Sequence, residues 1–233
     1  MKYTELVPYV QAAPDQGETA TCWFMASTGA LELLMNKKHK IKNPRKNGPY
    51  DLSESFLIWQ SEFKNKKRKS SHFLEDVIRK FNFGEGVLNK HWPYRAKNKD
   101  GSENEAVWDR HPEFEQLPRI SVPALETELL FARGSDKWAT GVLGTEDVTA
   151  VKKALLQHRS PVIINYNDDG FWHVILIVGY DDSKKGVCYE ITPKECNKKG
   201  AFIVRDSDGK RTEARAYNWF TLKANAAAVV RFR

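Results

Sequence analysis

Apolar positions in the first third of the chain recur at spacings of three and four. From Cys22 to about Met35 the residues Phe24, Met25, Ala26, Ala30, Leu31, Leu34 and Met35 follow this period with apolar neighbours between them, which predicts a helix buried over much of its surface. An extended lead-in containing Pro8 and Pro14 precedes it. After a polar loop from Lys37 to Tyr50, Ser53 stands as an N-cap ahead of an amphipathic helix through Ile58, Trp59 and Phe63. A basic break at Lys64 to Lys69 separates it from a third helical pattern over Phe73 to Phe81, stopped by Gly84-Glu85-Gly86. Charge, proline and isolated aromatics dominate Arg95 to Gly141, which predicts loops and one short helix near Ala124 to Ala132. Thr145 to His158 returns to helical spacing, with Thr145 as expected N-cap and Val148, Val151, Leu155 and Leu156 as the buried stripe.

The texture then changes to short β-branched and aromatic runs separated by Asp, Gly, Lys and Asn clusters. These runs are Pro161 to Tyr166, His173 to Tyr180, Val187 to Ile191, Ala201 to Arg205 and Ala227 to Phe232, and they predict an antiparallel sheet or barrel. Helices first and strands second is the α+β pattern of segregated elements. The expected organisation is one domain over 1–233, with a helical lobe over about 16–95, a loop-rich connection over 96–144 and a β lobe over about 145–233. A cleft between two such lobes is a natural site, because each supplies one wall.

Composition adds exclusions. With 41% hydrophobic and 29% charged residues, the chain belongs with ordinary globular proteins and not with disordered ones. The net charge of +7 raises the question of nucleic acid, but the basic residues fall in scattered runs with acidic residues between them, the pattern of solvated faces. No nucleic-acid partner is expected. No apolar run approaches the roughly 20 residues of a membrane span, and no signal-peptide core opens the sequence. No metal or other cofactor is expected, and the chain is expected to be a monomer. Of three cysteines, Cys188 and Cys196 flank a short segment containing Pro193; either they close a disulfide loop and leave Cys22 free, or all three are thiols in a reducing compartment. The first alternative fits a secreted, periplasmic or cell-envelope location.

Cys22 stands where a glycine-containing loop meets the buried helix, and the partial positive charge of a helix N-terminus favours a thiolate. A free cysteine is more often a small buried hydrophobe, and His173, at the mouth of an apolar strand after Phe171-Trp172, reads equally as a core histidine. Asp206 closes the Phe202 to Arg205 run, so strands ending together would bring it beside His173. Thiolate, imidazole and an orienting third group form the logic of nucleophilic catalysis. Gln16, six residues before Cys22, is placed to fold its amide beside the Cys22 N–H as a second oxyanion donor.

The order Gln16-(five residues)-Cys22-Trp23, then Leu52-Ser53-Glu54, then His173-Val174-(three residues)-Val178-Gly179-Tyr180, then Ile203-Val204-Arg205-Asp206-Ser207 resembles the papain-like cysteine peptidases, over nearly the whole chain. Cys22 and His173 are 151 positions apart, slightly more than is usual in that family. The resemblance implies a two-lobed fold with Cys22 heading the central helix as nucleophile. It also implies His173 as base and acid, Gln16 in the oxyanion hole, Asp206 where the family carries an orienting Asn, and Trp23, Ser71, His72 and Trp172 as substrate contacts. Three departures stand out. Asp replaces Asn at 206; the tryptophan that shields the His–Asn bond is missing from Ser207-Asp208-Gly209, leaving Trp219 or Trp172 as candidates to cover it; and Ser70-Ser71-His72-Phe73 stands where relatives have Gly-Gly. The expected function is a thiol-dependent peptidase. The alternatives are a catalytically degenerate peptide- or protein-binding module and a Cys-His-Asp acyltransferase of transglutaminase type.

Overall fold

The computed structural model describes residues 1–63, 84–98, 100–102, 104, 109–133, 141–168, 171–188, 193–207 and 214–233. The expected helix at Phe73 to Phe81 and the Ser70 to Phe73 segment, with Ser71 and His72, lie outside them.

Three helices match the periodic stretches: α1 (Cys22–Lys38), α2 (Glu54–Phe63) and α3 (Thr145–His158). Burial of α1 runs unbroken from Cys22 to Asn36, because α2 covers one side and the sheet another. Ser53 caps α2, its Oγ accepting the Phe56 N–H at 3.0 Å. The cap of α3 is Gly144, not Thr145: the Asp147 carboxylate accepts the Gly144 N–H at 2.9 Å, so the acid in the first turn supplies what a threonine hydroxyl was expected to supply.

The strands are β1 (Lys2–Tyr3), β2 (Glu85–Val87), β3 (Arg119–Ser121), β4 (Leu125–Ala132), β5 (Gly141–Val142), β6 (Val162–Asp168), β7 (Phe171–Asp181), β8 (Ala201–Arg205), β9 (Arg215–Asn218) and β10 (Lys223–Phe232). Eight form one antiparallel sheet in the order β4-β10-β6-β7-β8-β9, with β1 added to β7 and β5 to β10; β2 and β3 pair separately. The fold is α+β, as the segregated patterns predict.

Two strand assignments differ from expectation. Ala124 to Ala132, expected as a short helix, is strand β4. Its glutamates are the exposed rim of an edge strand, and Arg231 of β10 reaches Glu126 at 2.6 Å and Glu128 at 3.2 Å, so cross-strand ion pairs carry charge that reads as loop in the sequence. Of the run expected at Val187 to Ile191, Val187 forms an isolated bridge to Tyr217, and 189–192 lie outside the described residues.

One polar cluster joins the sheet to the helices. Arg205, the last residue of β8, is 4% exposed and sends its guanidinium across α1. Its Nη1 donates to Met25 O at 2.5 Å and its Nε to Gln11 O at 2.8 Å, while Nη2 lies 3.2 Å from Glu32 Oε2 and 3.8 Å from Glu54 Oε1. Gly29 makes room, since a Cβ there would stand 2.6 Å from Arg205 Cζ. Burial raises the pKa of Glu54 to about 7, against the opposing pull of Arg205, and raises Glu32 well above the carboxylate range.

Two outcomes are expected. Arg205→Met strands two buried carboxylates and should cost about 3–5 kcal/mol in denaturant unfolding; a loss below about 1 kcal/mol would count against the cluster as the tie between helices and sheet. Because the folded state holds a proton on Glu54 that the unfolded state releases, stability should fall as pH rises from the ordinary carboxylate range to about 7. Glu54→Gln should make that fall shallower in melting curves taken across the window.

Candidate active site

Cys22 is the first residue of α1 and lies almost wholly buried at the helix start, where backbone N–H groups lack intrahelical partners. It is the free cysteine among the three, because Cys188 and Cys196 are joined in a disulfide with Cα atoms 5.6 Å apart. His173 is the third residue of β7. The register between β7 and β8 sets Leu176 against Arg205, so the next residue, Asp206, falls beside the end of β7 on the face that carries Ile175 and His173. The result is a bond of 2.7 Å between His173 Nε2 and Asp206 Oδ1. Cys22 is the second side chain that acts on the imidazole, its thiol adding to the pull of Asp206 on the proton.

Burial by itself disfavours a charged imidazole, but the hydrogen bonds to Asp206 and Cys22, and the negative charge of both, outweigh it and raise the His173 pKa to about 10. The imidazolium is therefore the resting form at neutral pH. The edge of Tyr166 packs on the ring, with centroids 5.6 Å apart.

Gln16 is bound into the loop that leads to Cys22. Its Nε2 donates to Thr19 O at 3.1 Å, its Oε1 accepts the Ser207 hydroxyl at 2.6 Å, and its backbone N–H donates to Ser207 O at 3.0 Å. The residue after Asp206 thus anchors the residue six before Cys22. A primary amide carries two N–H donors, and Thr19 uses one of them. The loop is clasped from the other side by the Tyr94 hydroxyl, which meets Thr19 Oγ1 at 2.6 Å and Thr21 Oγ1 at 3.0 Å and donates to Gln16 O at 3.2 Å.

Other expected site residues are less central. Trp23 is buried in the core beside Phe24. Trp172 pairs with Asn167 and, by strand alternation, faces away from His173. Trp219 packs on Phe202, with ring centroids 5.2 Å apart, and under Lys152 Nζ at 4.3 Å. The surroundings of the His173–Asp206 bond are supplied instead by tyrosines that the sequence reading passed over. Tyr217 donates its hydroxyl to Asp206 Oδ2, and Arg215 Nη1 stands 3.8 Å from the same oxygen. Their alternate positions on one strand, opposite Phe202 and Val204, are the signal that could have found them.

No family model and no curated relative matches the sequence. Solved structures match over almost the full chain. The clostridial cysteine protease Cwp84 after propeptide cleavage superposes with a TM-score of 0.66 at 17% identity, covering all of this chain, which spans 58% of the length of that one. Bromelain from Ananas comosus gives 0.55 at 11% identity, covering 97% of this chain and 95% of that one, and xylellain from Xylella fastidiosa gives 0.54 at 15%, covering 100% and 90%. The fold of this chain is papain-like.

The charge on His173 can be followed directly. Its Hε1 resonance should titrate near 10, and Asp206→Asn should lower the midpoint by removing a carboxylate partner. A midpoint near that of an ordinary histidine in the unaltered protein would contradict the paired arrangement.

Proposed function

We propose that the chain is a thiol peptidase in which Cys22 is the nucleophile, His173 the acid and base, Asp206 the orienting group and Gln16 an oxyanion donor. The observation that carries this reading is the 2.7 Å bond between His173 and Asp206, formed where α1, headed by Cys22, meets the sheet and where the Cys22 thiol acts on the imidazole. The thiolate attacks the scissile carbonyl carbon and the carbonyl electrons move onto oxygen. That oxyanion is met by the Cys22 N–H and the Gln16 amide, and one such donor is worth roughly 3 kcal/mol of barrier. His173 then passes its proton to the departing amine as the C–N bond breaks, leaving a Cys22 thioester. Water attacks the thioester carbonyl, His173 takes up the proton, and the carboxylic acid leaves with Cys22 restored as thiolate.

The contact between Cys22 and His173 favours this reading over a binding module that has lost its chemistry. The Gln16 anchor on Ser207 favours it over an acyltransferase of transglutaminase type, and an amine-acceptor assay separates the two. Trp172, Ser71 and His72 remain proposed substrate contacts, Trp23 being held in the core instead, and peptide or protein is the proposed substrate class. The Cys188–Cys196 disulfide supports an oxidising location, secreted or in the cell envelope. Cwp84 itself is described as associated with a surface layer.

Turnover of a peptide library and labelling by an epoxide thiol inhibitor should both be lost in Cys22→Ala. Hydrolysis that survives this substitution would sink the assignment.

A further inference from the structure

Asp206 is a carboxylate in a place that is difficult for one. It is 6% exposed, and its Oδ1 is committed to His173 Nε2 at 2.7 Å. A buried full negative charge in that position binds the imidazolium proton tightly. A peptidase histidine must release its proton to the leaving amine in every turnover, so an orienting acid that holds the imidazolium too strongly slows that step.

Strand β9 answers this on the other oxygen. Register sets Arg215 against Val204 and Tyr217 against Phe202, so by alternation both side chains share the face on which Asp206 lies two residues beyond Val204. Tyr217, fully buried, donates its hydroxyl to Oδ2. Arg215 Nη1 lies 3.8 Å from Oδ2 and donates to the same Tyr217 hydroxyl at 3.1 Å. The three groups form a short relay in which the guanidinium polarises the phenol and the phenol grips the carboxylate.

We propose that Arg215 and Tyr217 are positioning residues that draw the charge of Asp206 toward Oδ2, so that Oδ1 orients His173 without locking its proton. The groups that face this pair include Cys22 from α1, Tyr166 from β6, Asp206 after β8, and Arg215 and Tyr217 from β9. Of these, Arg215 alone opposes a positive imidazole. The proposal that the relay governs turnover rests on the peptidase reading; its effect on the His173 proton does not.

The test is therefore made first without turnover. In Cys22→Ala protein, where no thiolate contributes, the His173 Hε1 midpoint is followed by NMR for Arg215→Gln, Arg215→Lys and Tyr217→Phe. Arg215→Gln and Tyr217→Phe should each raise the midpoint, by about half to one pH unit, and Arg215→Lys should restore most of the original value. Simple loosening of the site would do the opposite, because a histidine freed from Asp206 falls back toward its ordinary range. The rise should largely vanish when Asp206 is also Asn. A midpoint that is unchanged or lower, or a rise of equal size with Asn at 206, overturns the proposal. Tyr217→Phe removes a single oxygen atom and carries the test alone if Arg215→Gln does not fold. In protein with Cys22 intact, the same two substitutions should lower kcat about three- to tenfold with KM little changed. Absence of peptide hydrolysis in the unaltered enzyme would refute the peptidase reading and leave the titration result standing.

Discussion

Arg205 brings a permanent positive charge into the buried junction of helices and sheet, and the surrounding structure answers that charge. Two glutamates from different helices, Glu32 and Glu54, turn toward it, two backbone carbonyls accept its remaining donors, and α1 carries a glycine where it passes. Breaking such a cluster on one side leaves the other side buried and uncompensated, so the helices and the sheet are fixed relative to one another more firmly than apolar contact alone requires. Because Asp206 is the next residue in the chain, the same anchor fixes the end of β8 from which the carboxylate bonded to His173 projects. Site geometry and fold stability therefore share one side chain.

The site is assembled from two surfaces of different rigidity. His173 and Asp206 sit on neighbouring sheet strands whose spacing is set by the backbone ladder. Gln16 sits in a loop, and that loop is fastened by hydroxyl groups from Thr19, Thr21 and Tyr94 and by both backbone and side-chain bonds to Ser207. Ser207 follows Asp206 directly, so the end of β8 serves both Asp206 and Gln16 together. A shift of that end would disturb both at once, which is why the density of hydrogen bonds there exceeds what a surface loop needs.

Much of this was legible in the sequence. The buried helix headed by Cys22, the capped α2 and the strands carrying His173 and Arg205 follow from periodicity and turn residues, because each is dominated by its own local pattern. Edge strands were not legible in the same way. The Glu126 and Glu128 pattern of β4 makes sense only against Arg231, more than one hundred positions away, and no local window contains both. The same holds for β9, whose Arg215 and Tyr217 look like ordinary surface and core residues until the register with β8 lays them beside Asp206. Gly144 in place of Thr145 as the cap of α3 is a smaller instance, decided by where Asp147 points. What the sequence hides is partnership at long range.

Strand order carries a consequence for how the protein is made. The last strand of the sequence, β10, does not sit at an edge; it lies between β4 and β6, in the interior of the sheet that seats His173. His173 is synthesised 151 residues after Cys22, and the sheet closes only after β10 has been synthesised and inserted. Topology thus places a delay between the synthesis of Cys22 and the closing of the sheet that seats His173 beside Asp206.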